Sequence, residues 1–190
     1  KDSDFVLDLG QYTGTKADLR GLITECAARR APPLTPAAFR AALATKAFTS
    51  KKADEEMVAR LYANTFAERM GAATGLYYVN LQWGDADAAA LGEALASGAL
   101  PSLKALDLDD NGIGDEGAAA LGEALASGAL PSLEGLILAG NGIGAVGMAA
   151  LAAAVASGAA PKLRAVFLGG NPGDPAPVDE AVRELQARRA

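Results

Sequence analysis

Between Ala105 and Asp109, Leu106 and Leu108 alternate with Ala105, Asp107 and Asp109. A period of two predicts a strand with one buried face. After Asn111 comes Gly-Ile-Gly, a tight turn, and then a segment in which Leu121 and Leu125 stand four apart, on one face of a helix. Asp115 is placed to cap the N-terminus of that helix. Gly128 falls where a helix end needs positive φ, and Pro131 blocks continuation. The predicted unit is therefore strand, turn, helix, turn.

The unit recurs. Residues 88–103 and 118–133 carry the same sixteen letters, AAALGEALASGALPSL, and a diverged copy follows at 148–163. Each copy leads into L-x-x-L-x-L-x-x-N: Leu103, Leu106, Leu108, Asn111; Leu133, Leu136, Leu138, Asn141; Leu163, Val166, Leu168, Asn171. Leu76, Val79 and Leu81, with Gly84 at the Asn position, read as an earlier degenerate copy 27 residues upstream, with a loop three residues shorter. One unit cannot bury its own leucines, whereas stacked units bury them against each other. Asn111, Asn141 and Asn171 are expected to form a structural ladder that satisfies turn backbone groups of adjacent units.

The stretches LKALDLDDNGIGDEGAAALGEAL and LEGLILAGNGIGAVGMAALAAAV resemble the leucine-rich-repeat family, in particular its ribonuclease-inhibitor-like subclass. The resemblance covers residues 76–171. It implies an α/β fold, a short right-handed solenoid of about four strands with a parallel inner sheet and outer helices. It also implies that the inner sheet binds other proteins.

Residues 1–75 do not match the repeat and read as a helical N-terminal cap or a docking region. One helix is expected from Thr15 to about Arg30, with Leu19, Leu22 and Ile23 inward. A second starts at Thr35-Pro36, with Phe39 and Leu43 four apart. A third runs from about Lys52 to Met70, with Val58, Leu61, Tyr62, Thr65 and Phe66 on one face, ended by Gly71. Residues 172–190 read as a loop and a capping helix bearing Val178, Val182 and Leu185.

Charge narrows the partner. The chain of 190 residues has a net charge of −6, which disfavours nucleic acid and anionic membrane. Residues 1–75 hold 11 Lys/Arg against 9 Asp/Glu, and residues 76–190 hold 6 against 14. An ionic partner of the second part should therefore be basic. No apolar run is long enough for a membrane span. A single cysteine, Cys26, forms no disulfide within the chain, which mildly favours a reducing, intracellular setting. Lys1 in place of Met leaves open an organelle reached after loss of a targeting segment.

Catalytic chemistry finds little here. Histidine is absent, which removes the commonest general base and most zinc sites. Cys26 reads as a small core residue, and Glu55-Glu56 and Asp109-Asp110 as solvated charge. No catalytic residue, resident metal or cofactor is expected. Gly112-x-Gly114-x-x-Gly117 spells a dinucleotide-binding pattern, and Gly142, Gly144 and Gly147 repeat it. Asp107 and Asp109 on the strand's other face argue instead for a structural turn, since nucleotide-binding sheets are covered on both faces. Asp107-x-Asp109-x-Asn111-Gly112 imitates a calcium loop but has Ala118 where the bidentate Glu belongs. A loose cation site on Asp107, Asp109 and Asp110 stays open.

Binding is expected on the strand residues between the buried ones. With strands about 4.8 Å apart, equivalent positions form columns: Asn80, Asp107, Ile137, Phe167; Tyr78, Ala105, Gly135, Ala165; and Gln82, Asp109, Ala139, Gly169. Tyr78, Asn80, Asp107, Asp109, Ile137 and Phe167 are the candidate partner-binding residues. Phe167 is either an exposed anchor or packed under the C-terminal loop. Trp83, with Tyr77 and Tyr78, either adds exposed aromatic surface or fills space left by the shortened first unit. The helix around 148–156, apolar all round, offers a competing contact surface. The expected function is thus a non-catalytic protein-binding module. The alternative is an accessory subunit of a larger, possibly organellar, assembly held by its flanks and convex helices.

Overall fold

A computed structural model describes residues 31–45 and 53–189. The helix expected from Thr15 to Arg30, with Cys26, lies outside the described residues. Among the described residues two helices precede the repeats. Helix α1, Pro36–Leu43, starts where Thr35 Oγ1 accepts the N–H of Ala38 at 3.2 Å and Pro36 takes the first turn. There the missing proline N–H costs nothing. Helix α2, Ala53–Ala72, carries Asp54, Glu55 and Glu56 in its first turn, where they oppose the helix dipole. Phe39 stacks on Tyr62 at 3.7 Å between centroids, and Tyr62 Oη donates to the Leu34 carbonyl at 2.8 Å. The buried face of α2 differs from the expected one. Ala59 and Phe66 are buried, while Leu61 and Thr65 face out. Nor does Gly71 end the helix, which runs one residue further.

The repeats then follow as β1 (Gly75–Tyr77), α3 (Asp85–Ala96), β2 (Ala105–Asp107), α4 (Asp115–Ala126), β3 (Gly135–Ile137), α5 (Ala145–Ala156), β4 (Ala165–Phe167) and α6 (Ala176–Ala187). The strands form one parallel sheet in sequence order. Each helix from α3 to α6 packs on the next. Packed helices stand about 8–10 Å apart and strands about half that, so the strand side is the inner, concave side. This is a short leucine-rich-repeat solenoid.

Its core is the layer between strands and helices. Leu91, Leu100, Leu103, Leu108, Ile113, Leu133, Leu138 and Leu151 are wholly enclosed there. Each such side chain contributes roughly 2 kcal/mol of transfer free energy. Met70 and Ala73, at the end of α2 and just beyond it, pack against this core. At the helix C-termini one device is used three times. Ser97, Ser127 and Ser157 each donate Oγ–H to the carbonyl three residues back at 2.6–2.7 Å. Gly98, Gly128 and Gly158 then turn the chain at φ near +77°, a region that strains residues bearing a Cβ.

The first unit is not shortened. Leu76 pairs with Leu106 and Tyr77 with Asp107, a spacing of 30 residues throughout. The 27-residue alignment is therefore corrected. Tyr78 stands at the Leu108 position, Leu81 at the Asn111 position and Trp83 at the Ile113 position. All three are buried, and Tyr78 and Trp83 pack with ring centroids 4.7 Å apart. Asp115 does not cap its own helix either. Its Oδ1 accepts from Gly144 and Gly147 of the following unit.

Candidate functional site

Strand alternation sends Leu76, Leu106, Leu136 and Val166 toward the helices and leaves the residues on either side of them on the open face. The register makes the central column Tyr77, Asp107, Ile137, Phe167. Tyr77 replaces Asn80, because the first unit follows the 30-residue spacing. The column before it is Gly75, Ala105, Gly135, Ala165. The same spacing, carried on by the hydrogen bonds from Asn80 N to the Asp109 carbonyl and from Asp110 N to the Ala139 carbonyl, aligns Val79, Asp109, Ala139 and Gly169.

Four candidates therefore share one face: Asp107, Asp109, Ile137 and Phe167. Ile137 and Phe167 are direct neighbours on paired strands. Phe167 is 56% exposed, so it does not pack under the C-terminal loop. Two candidates lie elsewhere. Tyr78 is only 4% exposed, because its side chain takes the inward leucine position. Asn80 sits at the strand exit with φ +53°, in the column of Asp110, Gly140 and Gly170, which share its left-handed backbone. Trp83 is enclosed too and adds nothing to the surface. Tyr77, 67% exposed, and Val79, 42% exposed, are the first unit's contributions. The dipeptide Gly84-Asp85, recurring as Gly114-Asp115, was the signal that sets this register.

The face is acidic in the middle. Asp107 Oδ1 accepts the N–H of Asp109 at 3.1 Å, which holds the two residues on one side of the strand. Among the described residues no cation pairs with Asp107, Asp109 or Asp110. Along the edge, Arg164 pairs with Glu134 at 3.6 Å. No group of three or more carboxylate, thiol or imidazole side chains among the described residues could hold a metal. The loose cation site on Asp107, Asp109 and Asp110 does not form, since Asp110 leaves the strand face at its left-handed turn (φ +52°).

Two internal ladders hold the units in register behind this face. Asn111 Nδ2 donates to the carbonyls of Tyr78 (2.7 Å), Leu108 (3.0 Å) and Asp109 (3.1 Å), and its Oδ1 accepts from Leu81 (3.0 Å) and Trp83 (3.1 Å). Asn141 bonds the carbonyls of Leu108, Leu138 and Ala139 and the N–H of Ile113. Asn171 repeats the pattern with Leu138, Leu168 and Ile143. The second ladder is carboxylate. Asp85 Oδ1 accepts from Gly114 (2.7 Å) and Gly117 (2.9 Å), as Asp115 does from Gly144 (2.7 Å) and Gly147 (2.8 Å). A Cβ on Gly117 would lie 2.7 Å from Asp85 Oδ1 and 2.8 Å from Ile113 Cγ2. The glycine pattern thus serves close packing, and the N–H groups that could cradle a phosphate are already given to a carboxylate.

No helix among the described residues is long and apolar enough to cross a membrane. No curated protein matches the chain. The family model described as Leucine Rich repeat matches residues 99–122 and 129–152, which span β2 and β3 and reach into α4 and α5. The two matched stretches are leucine-rich repeats, and the units before and after them share their strand–helix geometry.

Proposed function

We propose that this chain is a non-catalytic interaction module, of the ribonuclease-inhibitor-like kind, that binds a protein partner on the open face of its sheet. Leucine-rich repeats generally mediate protein–protein interaction and are typically non-catalytic. One observation carries the reading. Ile137 and Phe167 stand side by side on the bare face, with Phe167 more than half exposed and only alanine and glycine flanking them along their own strands. Exposed aromatics with low neighbours make interface anchors, because a partner can reach the ring from the side as well as from above. In this reading the segment up to residue 75 closes one end of the solenoid. Residues 172–190 close the other, where Gln186, Arg188 and Arg189 donate to the carbonyls of Arg164, Ala156 and Leu163.

The test is affinity purification from the source cells with the full chain and with Phe167→Asp. Wild type should recover a partner that the variant loses, with identical circular dichroism. Equal recovery would overturn the reading. A second reading rests on α5, whose outer side exposes Val146 at 70% together with Ala149 and Ala153. If the chain is instead an accessory subunit seated by its helices, Val146→Lys will release it from its assembly and Phe167→Asp will not.

A further inference from the structure

We propose that the partner segment on this face is basic at one point and apolar at another. A lysine or arginine side chain reaches the Asp107 and Asp109 carboxylates with its stem beside Tyr77, and an apolar side chain rests on Ile137 and Phe167. This rests on the open face being the binding surface and specifies what it recognises.

Tyr77 and Asp107 are paired residues on adjacent strands, so their backbones stand about 4.8 Å apart, with the Tyr77 ring lying back over Gly75 of its own strand. Asp109 follows two residues on, toward the same side as Asp107. The two carboxylates are half-buried, and among the described residues no cation answers them. Half-burial weakens their hydration, so an incoming cation meets less competition from water than it would at a fully exposed carboxylate. The exposed Tyr77 ring, lying over Gly75, adds apolar surface for the stem of that basic side chain. Residues 76–190 carry 6 Lys/Arg against 14 Asp/Glu, so the surrounding field has the same sign as the site.

Spacing fixes the order. From Asp107 to Phe167 is two strand steps, about 10 Å. Extended chain covers that in about three residues. Ala105, Gly135, Ala139 and Gly169 keep the floor low, so a backbone can cross the strands without obstruction. The recognised pattern is a basic residue and an apolar residue three positions apart.

The probe is a phage-displayed library of random dodecapeptides, selected on the full chain. Enriched peptides are then measured against wild type, Phe167→Asp, and the double variant Asp107→Asn with Asp109→Asn. The asparagine at 107 keeps the oxygen that accepts the Asp109 N–H, so the strand is preserved. Enriched peptides should carry Lys or Arg three positions from an apolar residue, bind about tenfold more weakly to the double variant, and weaken with salt. Loss of binding in Phe167→Asp but not in the double variant would overturn this inference and leave the binding face intact. Binding untouched by either variant would overturn both, and a library that yields no enriched peptide would overturn the inference.

Discussion

Asp115 opens α4 yet serves α5: its Oδ1 accepts the N–H of Gly147 at 2.8 Å and that of Gly144 at 2.7 Å. A carboxylate from one unit thereby satisfies two orphan donors at the helix start of the next. Charge-assisted bonds of this kind are the stronger sort. Asp115→Ala should destabilise the solenoid by roughly 1–3 kcal/mol, the range for hydrogen bonds to charged groups and for lost caps. The exposed neighbour Glu116→Ala should stay within about 0.5 kcal/mol of wild type. Urea unfolding of the two variants checks the contrast, and equal midpoints would contradict it.

The asparagine ladder predicts a comparable loss. Asn141 is buried at 6% exposure and bonds three carbonyls and one N–H across two units. Leucine is close in volume but supplies no polar atom, so Asn141→Leu leaves the Ile113 N–H without its partner, while the Leu108 carbonyl keeps only the Asn111 amide. Each orphaned buried group costs about 1–3 kcal/mol. A thermal melt of Asn141→Leu matching wild type would show that the ladder contributes nothing to stability.

What was legible in the chain follows from where repetition is strict. The sixteen-letter block and the L-x-x-L-x-L-x-x-N segments locate β2, β3, β4 and the helices between them, because the same burial problem is solved three times with the same letters. Thr35-Pro36 announces α1 for an equally local reason, a side-chain acceptor and a residue without N–H. The first unit was harder. Leucine spacing favoured 27 residues, whereas the fold uses 30, with Tyr78, Leu81 and Trp83 in places held elsewhere by Leu, Asn and Ile. Among the described residues no strand precedes β1 in the sheet, so Leu81 can stand where later units use an amide to bond the unit before. Of the candidate site, Asp107, Asp109, Ile137 and Phe167 lay in strict repeats and share the open sheet face, as their spacing implied. Tyr78 and Asn80 lay in the degenerate one and do not share it. The partner of Asp115 was invisible locally, since its donors lie 29 and 32 residues away.

The carboxylate ladder stops at Ala145, and the next unit shows why. The residues 29 and 32 positions beyond Ala145 are Asp174 and Pro177, and Pro177, in the first turn of α6, has no N–H. An aspartate at 145 would lack the donor that Gly147 gives Asp115, and the place of Gly144 is held by a second aspartate. Ala145→Asp should therefore gain no more than the few tenths of a kcal/mol, about 0.5, that a carboxylate adds in a first helical turn. Stabilisation beyond about 1 kcal/mol in urea unfolding would mean that α6 offers donors after all.

The α1–α2 pair supplies a prediction in pH. Burial against Phe39 and Phe66 pushes the Tyr62 phenol above the ordinary tyrosine value. The unfolded chain ionises at that ordinary value, near 10, while the folded chain keeps its proton to higher pH. Between the two the unfolded state binds fewer protons, so stability falls as pH rises. The Tyr62 contribution is complete below pH 10 and disappears as pH passes through the folded value. Ionisation also removes the proton that Tyr62 donates to the Leu34 carbonyl. An alkaline titration followed by phenolate absorbance should show a late component that Tyr62→Phe abolishes, with α1 becoming more open to protease over the same range in wild type alone. If Tyr62→Phe removed an ordinary component and left the late one, the phenol would not be the buried group.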